Sequence, residues 1–205
     1  MTTMSEAREG FDRRARDVQD LLGIHEDLGR MGGAGSASST PRRGRRYRES
    51  ALNHAVVVLT VAGWQAFAED LVDGVVLAIE PPTGSPGVEA HKVLKALTSR
   101  AKTNYATANA ENTRSLMLNA GFDPFPHWQW GGRWSMTSTE VSRKVNQWLK
   151  VRHAIAHGDE KLPPLAILDC SGSGPSLTKN CAESCLKFFS KVVHRTADAA
   201  ENEFG

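Results

Sequence analysis

The stretch at residues 48–79 constrains the fold most. It holds no proline and only two glycines before Pro81 and Pro82 stop it. Leu52, Val56, Leu59, Gly63, Trp64, Phe67, Leu71 and Val75 recur at helical spacing. Val57, Val58 and Val61 fill other sides of the same helix. The valines would also suit a strand, but the length and the lack of a turn signal favour one long helix. A helix apolar on most of its circumference must be enclosed by neighbours. The rest of the chain therefore has to supply them.

It supplies helical patterns. Residues 5–30 place Phe11, Val18, Leu21, Leu22, Ile24 and Leu28 in an amphipathic array. Residues 88–100 and 112–119 read as shorter helices, the second closed by Gly121. Ser138 or Thr139 caps a further helix ending near His157, with Val141, Val145, Trp148, Val151 and Ile155 on its inner face. A last helix covers 179–201. Residues 122–135, with Trp128, Trp130 and Trp134 among prolines and glycines, read as an irregular packed loop. Residues 165–168 read as a short strand-like piece. The expectation is an all-α, up-and-down helical bundle with an extra N-terminal helix and a Trp-rich loop. Residues 1–30 form the N-terminal helix, 31–47 a flexible basic linker, and 48–205 the bundle domain.

Net charge is only +2, so overall charge does not point to nucleic acid. Local charge does, since Arg42, Arg43, Arg45, Arg46 and Arg48 crowd together. The N-terminus lacks a secretory pattern, and the apolar run at 55–64 is too short to span a bilayer. The expected setting is cytoplasmic, without a membrane. Cys170, Cys181 and Cys185 are odd in number and lack Cys-x-x-Cys spacing, which argues against a disulfide framework and a structural zinc site. They read as small apolar fillers.

Arg152, His153 and His157 lie in a run ending in Gly158. A permanent cation and a proton carrier that works near neutral pH therefore sit about one and a half turns apart, near a helix end. Cleavage of RNA by its own 2′-hydroxyl needs a base, a cation for the phosphorane and an acid for the leaving oxygen. Histidine suits the first and last roles. Arginine suits the second through its planar fork of donors. Arg152 and His157 stand about 140° apart around the axis, so the long arginine must swing toward the histidine, or a second chain must supply it. Gly158 would stop the helix, and a helix C-terminus favours positive charge. The plainer reading of these residues is a solvated helix end. His153 and His157 also have the i, i+4 spacing of a zinc-binding pair, but no third ligand with fitting spacing appears.

The chain resembles the HEPN superfamily, and within it the RiboL-PSP-HEPN branch. The likeness rests on a basic residue, four positions and a histidine at 152–157. It rests also on residues 22–28, on the run from Asn53 through Trp64 and Phe67 to Glu69, Asp70 and Leu71, on 112–116 with Gly121, and on Trp128 and Trp130. These follow in order over most of residues 20–160. Gln65 stands where the family usually has an acidic residue, so any role of that carboxylate passes to Glu69 or Asp70 or is lost. The resemblance implies a helical bundle that forms a homodimer with the motifs of both protomers facing one cleft. It implies metal-independent endoribonuclease activity, without cofactor, in a toxin–antitoxin or defence setting. An antitoxin or nucleotidyltransferase partner would fit that setting. Arg152 and His157 would carry the chemistry with His153 assisting, and the ends formed would be 2′,3′-cyclic phosphate and 5′-hydroxyl. Arg42, Arg43, Arg45, Arg46, Arg143 and Asn146 are the candidate RNA contacts, each also explicable as plain surface. The rival expectation is a HEPN module without cleavage that dimerises and binds RNA or a protein partner.

Overall fold

A computed structural model describes residues 2–31, 43–170 and 176–205, with side chains apart from those of 28–31 and 43–47. Six α-helices follow in order: α1 Met4–Met31, α2 Arg43–Ala78, α3 Val88–Thr103, α4 Ala110–Leu118, α5 Ser138–His157 and α6 Lys179–Phe204. No strand occurs among the described residues, and the fold is an all-α bundle.

Helix α2 is the axis around which the others pack. Val56, Val57, Trp64, Phe67, Ala68 and Leu71 are fully buried along it. By length and composition α2 would suffice to cross a bilayer, but just over half of its apolar window is covered by the bundle. At its centre the Trp64 ring meets Phe67, Trp128 and Phe189, and its Nε1 donates to the Ala108 carbonyl at 3.1 Å. Such a tryptophan brings a large buried area and needs a partner for its N–H, and both are present here.

Helix α1 belongs to the same core. Met4, Ala7 and Phe11 join the main apolar cluster, while Val18 and Leu22 meet Val56, Ala182 and Leu186 in a second one. Gly74 of α2 lets α1 approach: a Cβ there would lie 2.5 Å from the Met4 backbone nitrogen. Helix α2 begins at Arg43, inside the stretch expected to be a linker. Residues 32–42 lie outside the described residues.

Two boundary details differ from expectation. Thr137, not Ser138 or Thr139, caps α5. Its Oγ1 accepts from the Glu140 N–H, and Glu140 reaches back to the Thr137 N–H at 2.8 Å, forming a reciprocal capping box. Residues 165–168 are no strand: Ala166–Leu168 forms a 3-10 turn that buries Leu168. Without a neighbouring strand the backbone satisfies itself locally.

The cysteines also depart from expectation. Cys170 and Cys181 form a disulfide, with Cα atoms 5.5 Å apart, and only Cys185 is free and buried. The odd count had concealed the pair, because the third thiol is a core filler. A reducing cytosol would hold such a pair open as thiols.

Candidate functional site at the end of α5

Helix α5 starts and stops by strong local signals. The capping box fixes its first turn. Gly158 ends it in the left-handed conformation at φ 73°, and the Asp159 N–H returns to the Ala154 carbonyl at 3.0 Å. His157 is the last helical residue. It is exposed, while Arg152 and His153 are half-buried.

His153 and His157 line one open cleft of about 360 Å³ with Lys150, Asp159 and Lys161. His153 is held below its ordinary pKa of 6.5, first by burial and then by the positive charges of Arg152 and His157. The three motif side chains therefore act on one another electrostatically. Arg152 faces inward. By helical phase it stands with Val141, Val145 and Trp148, all fully buried. Its Nε is buried without a hydrogen-bond partner, as is the Trp148 Nε1 one turn earlier. A buried donor left unpaired is costly.

A second cleft of about 550 Å³ lies across the helix end, lined by Ser50, His54, Ile155, Gly158, Asp159 and Leu177 among others. Burial lowers the pKa of His54. In the sequence His54 is only a polar residue at the edge of the apolar run at 55–64. Its signal is an imidazole two residues before the first fully buried valine of α2, and that signal gains meaning only once α2 and the end of α5 are side by side.

The remaining sequence-derived candidates divide. Arg143 is exposed on α5. Asn146 is engaged structurally: its Oδ1 accepts from the Ala110 N–H at 2.9 Å, and its Nδ2 donates to Glu111 at 3.0 Å, so it caps α4. Its side chain is not free to meet RNA. Arg42 and the side chains of Arg43, Arg45 and Arg46 lie outside the described residues. Gln65 donates to Glu69 and to the Tyr105 carbonyl. Asp70, raised in pKa mainly by burial, stands 3.9 Å from Arg14 of α1. These polar groups of α2 tie helices together about 16–24 Å along the axis from His54. Among the described residues no group of three His, Cys, Asp or Glu side chains could hold a metal ion.

Chemically, the end of α5 offers an imidazole biased toward its neutral form, a second imidazole in water at the same cleft and a guanidinium beside them. That set suits proton transfer next to a phosphate. Comparison with protein-family models, curated proteins and solved structures gives no match for this chain.

Proposed function

We propose that the protein is a metal-independent endoribonuclease of the HEPN type, acting at the His153–His157 cleft. The observation that supports this reading is that His153 and His157 line one cleft at the end of α5, with Arg152 next to His153 in the chain. His157, in water, serves as the proton carrier. His153, neutral near pH 7, accepts or relays the 2′-hydroxyl proton. Arg152 stabilises the charge that builds on the phosphorane. The 2′-oxygen attacks the adjacent phosphorus, the bond to the 5′-oxygen breaks and the departing oxygen takes a proton. A 2′,3′-cyclic phosphate and a 5′-hydroxyl result.

A second reading keeps the fold and drops the cleavage. The inward Arg152, absent from the residues lining the cleft, and the Gln65 substitution favour a dimerising module that binds RNA or a protein. A homodimer reconciles the first reading with the same geometry, because the partner's arginine side can close the cleft. An antitoxin or nucleotidyltransferase partner would restrain the enzyme in the cytoplasm.

The decisive experiment incubates the protein with mixed RNA in EDTA and assays cyclic-phosphate ends. Cleavage lost in both Arg152→Ala and His157→Ala supports the nuclease. RNA retention without cut ends supports the binding module. Activity lost in the chelator alone points instead to a metal hydrolase built on the histidine pair.

A further inference from the structure

The other end of α5 carries a feature the cleft does not use. Trp134 is 76% exposed, while Trp128 and Trp130 of the same loop are buried. An exposed indole on a floppy tip would mean little, but the backbone that bears this one is held by hydrogen bonds. The Trp130 Nε1 donates to the Trp134 carbonyl at 2.7 Å, and Trp130 and Met136 exchange backbone hydrogen bonds at 3.0 Å. Gly132, left-handed at φ 92°, closes the turn, and the Ser135 N–H bonds back to it. The Arg133 guanidinium lies 5.6 Å from the indole centroid. The loop thus holds a large aromatic face in water at little further ordering cost.

Cations line the loop that carries it. Beside the loop runs a groove of about 510 Å³, lined by Gln129, Trp130, Met136, Thr137, Glu140 and Arg195 among others. The Lys191 Nζ sits 4.6 Å over the Trp130 ring, and the Lys144 Nζ 4.9 Å over Phe188, which packs on Trp130. Of the nearby carboxylates one is paired with a cation and one, Glu140, keeps its negative charge in the groove. Glu140 accepts from the Thr137 N–H and hydroxyl at 2.8 Å, and Asp198 pairs with Arg8 at 2.8 Å. Arg143 acts on Glu140, one turn earlier on α5, whereas Arg133, Lys150, Lys191 and Arg195 form no ion pair among the described residues. Arg143, Lys150 and His157 recur every seven positions, so they share one solvent-facing stripe of α5. That stripe joins the Trp loop to the His153–His157 cleft.

We infer that this end of α5 is a platform for single-stranded RNA, about 30 Å from His157 along the helix. Trp134 stacks an unpaired base, and Arg133, Lys191 and Arg195 neutralise phosphates. Arg143 and Lys150 guide the strand toward the cleft. The inference rests on the nuclease reading only for what happens at the far end. The span corresponds to on the order of six extended nucleotides, inside the ~4–16 that single-strand-binding modules cover.

The test uses dye-labelled 2′-O-methyl oligouridylates, which lack the hydroxyl needed for cleavage, of about twelve and about three nucleotides. Binding is read by fluorescence anisotropy over a salt series. Trp134→Ala weakens the long probe about tenfold, the size of one lost base stack, and Trp134→Phe keeps most of the affinity. Arg195→Gln lowers the salt slope by about one unit. The short probe, able to sit in the cleft alone, is indifferent to Trp134→Ala. Equal affinity of wild type and Trp134→Ala for the long probe overturns the platform, and the indole then serves a protein partner. Cleavage of unmodified RNA is scored in parallel. Trp134-dependent binding with no cleavage leaves the platform standing and removes the nuclease. Cleavage with Trp134-independent binding does the reverse.

Discussion

The two ends of α5 differ in how fully their polar groups are used. At the N-terminal end nearly every donor and acceptor has a local partner. Thr137 and Glu140 satisfy each other, the Trp128 Nε1 donates to the Thr196 hydroxyl at 3.0 Å, and Trp130 holds the loop. At the C-terminal end Arg152 keeps an unpaired buried nitrogen, two histidines open on a cleft, and a second cleft lies behind them. The first arrangement stabilises. The second forgoes stability to leave groups available, as sites of chemistry commonly do. Even the ordered end leaves Trp134 in water, with the unpaired cations Arg133, Lys191 and Arg195 beside the loop.

This contrast can be broken by measurement. Trp128→Ala should cost about 3–5 kcal/mol in urea unfolding, since it empties a fully buried site and removes the bond that the Thr196 hydroxyl accepts. A loss under about 1 kcal/mol would mean the Trp loop is not integral to the core. Reducing the Cys170–Cys181 bond should cost about 2–3 kcal/mol, as expected for a loop spanning 11 positions. An unchanged melting curve with reductant would remove the bond from the stability account. Thr137→Ala should cost about 1 kcal/mol by opening the capping box.

Acid should act selectively on the other end. His153 and His54 have folded pKa values below the unfolded 6.5, so the native state binds fewer protons than the unfolded chain. Their contribution is complete above pH 6.5 and declines as pH falls through 6.5 toward the folded values. His153→Gln should flatten part of that decline, and a slope identical to wild type would place His153 in water rather than beside Arg152. Smallest of all, His157→Ala should alter stability by less than about 0.5 kcal/mol, because the residue is exposed at a helix end already closed by Gly158. A larger loss would make His157 structural and weaken the nuclease reading.

Much of the fold was legible because helix signals are local. The apolar circumference of α2 dictated a central helix, and Gly158 ended α5 where glycine tolerates the left-handed turn that other residues resist. The cap of α5 lies one or two residues before the Ser138 or Thr139 expected, because Thr137, Ser138 and Thr139 all carry suitable hydroxyls. Only the reciprocal bond from Glu140 distinguishes them. The chemistry at 152–157 was legible as residue types in a spacing, but not as a surface. Helical phase alone already turned Arg152 inward, yet how far its stem is buried depends on the packing of α2 against α5.

What the chain determined by itself is whatever depends on neighbours a few positions apart: helix periodicity, caps, breaks and the juxtaposition of Arg152, His153 and His157. Only the tertiary structure decided which distant groups meet. It brought Cys170 to Cys181, committed Asn146 to the start of α4, placed His54 behind the end of α5 and left Trp134 in water while burying its two companions. The physical reason is that burial and pairing depend on the whole arrangement of helices. A residue's type records what it can bond to, and packing decides whether that partner arrives.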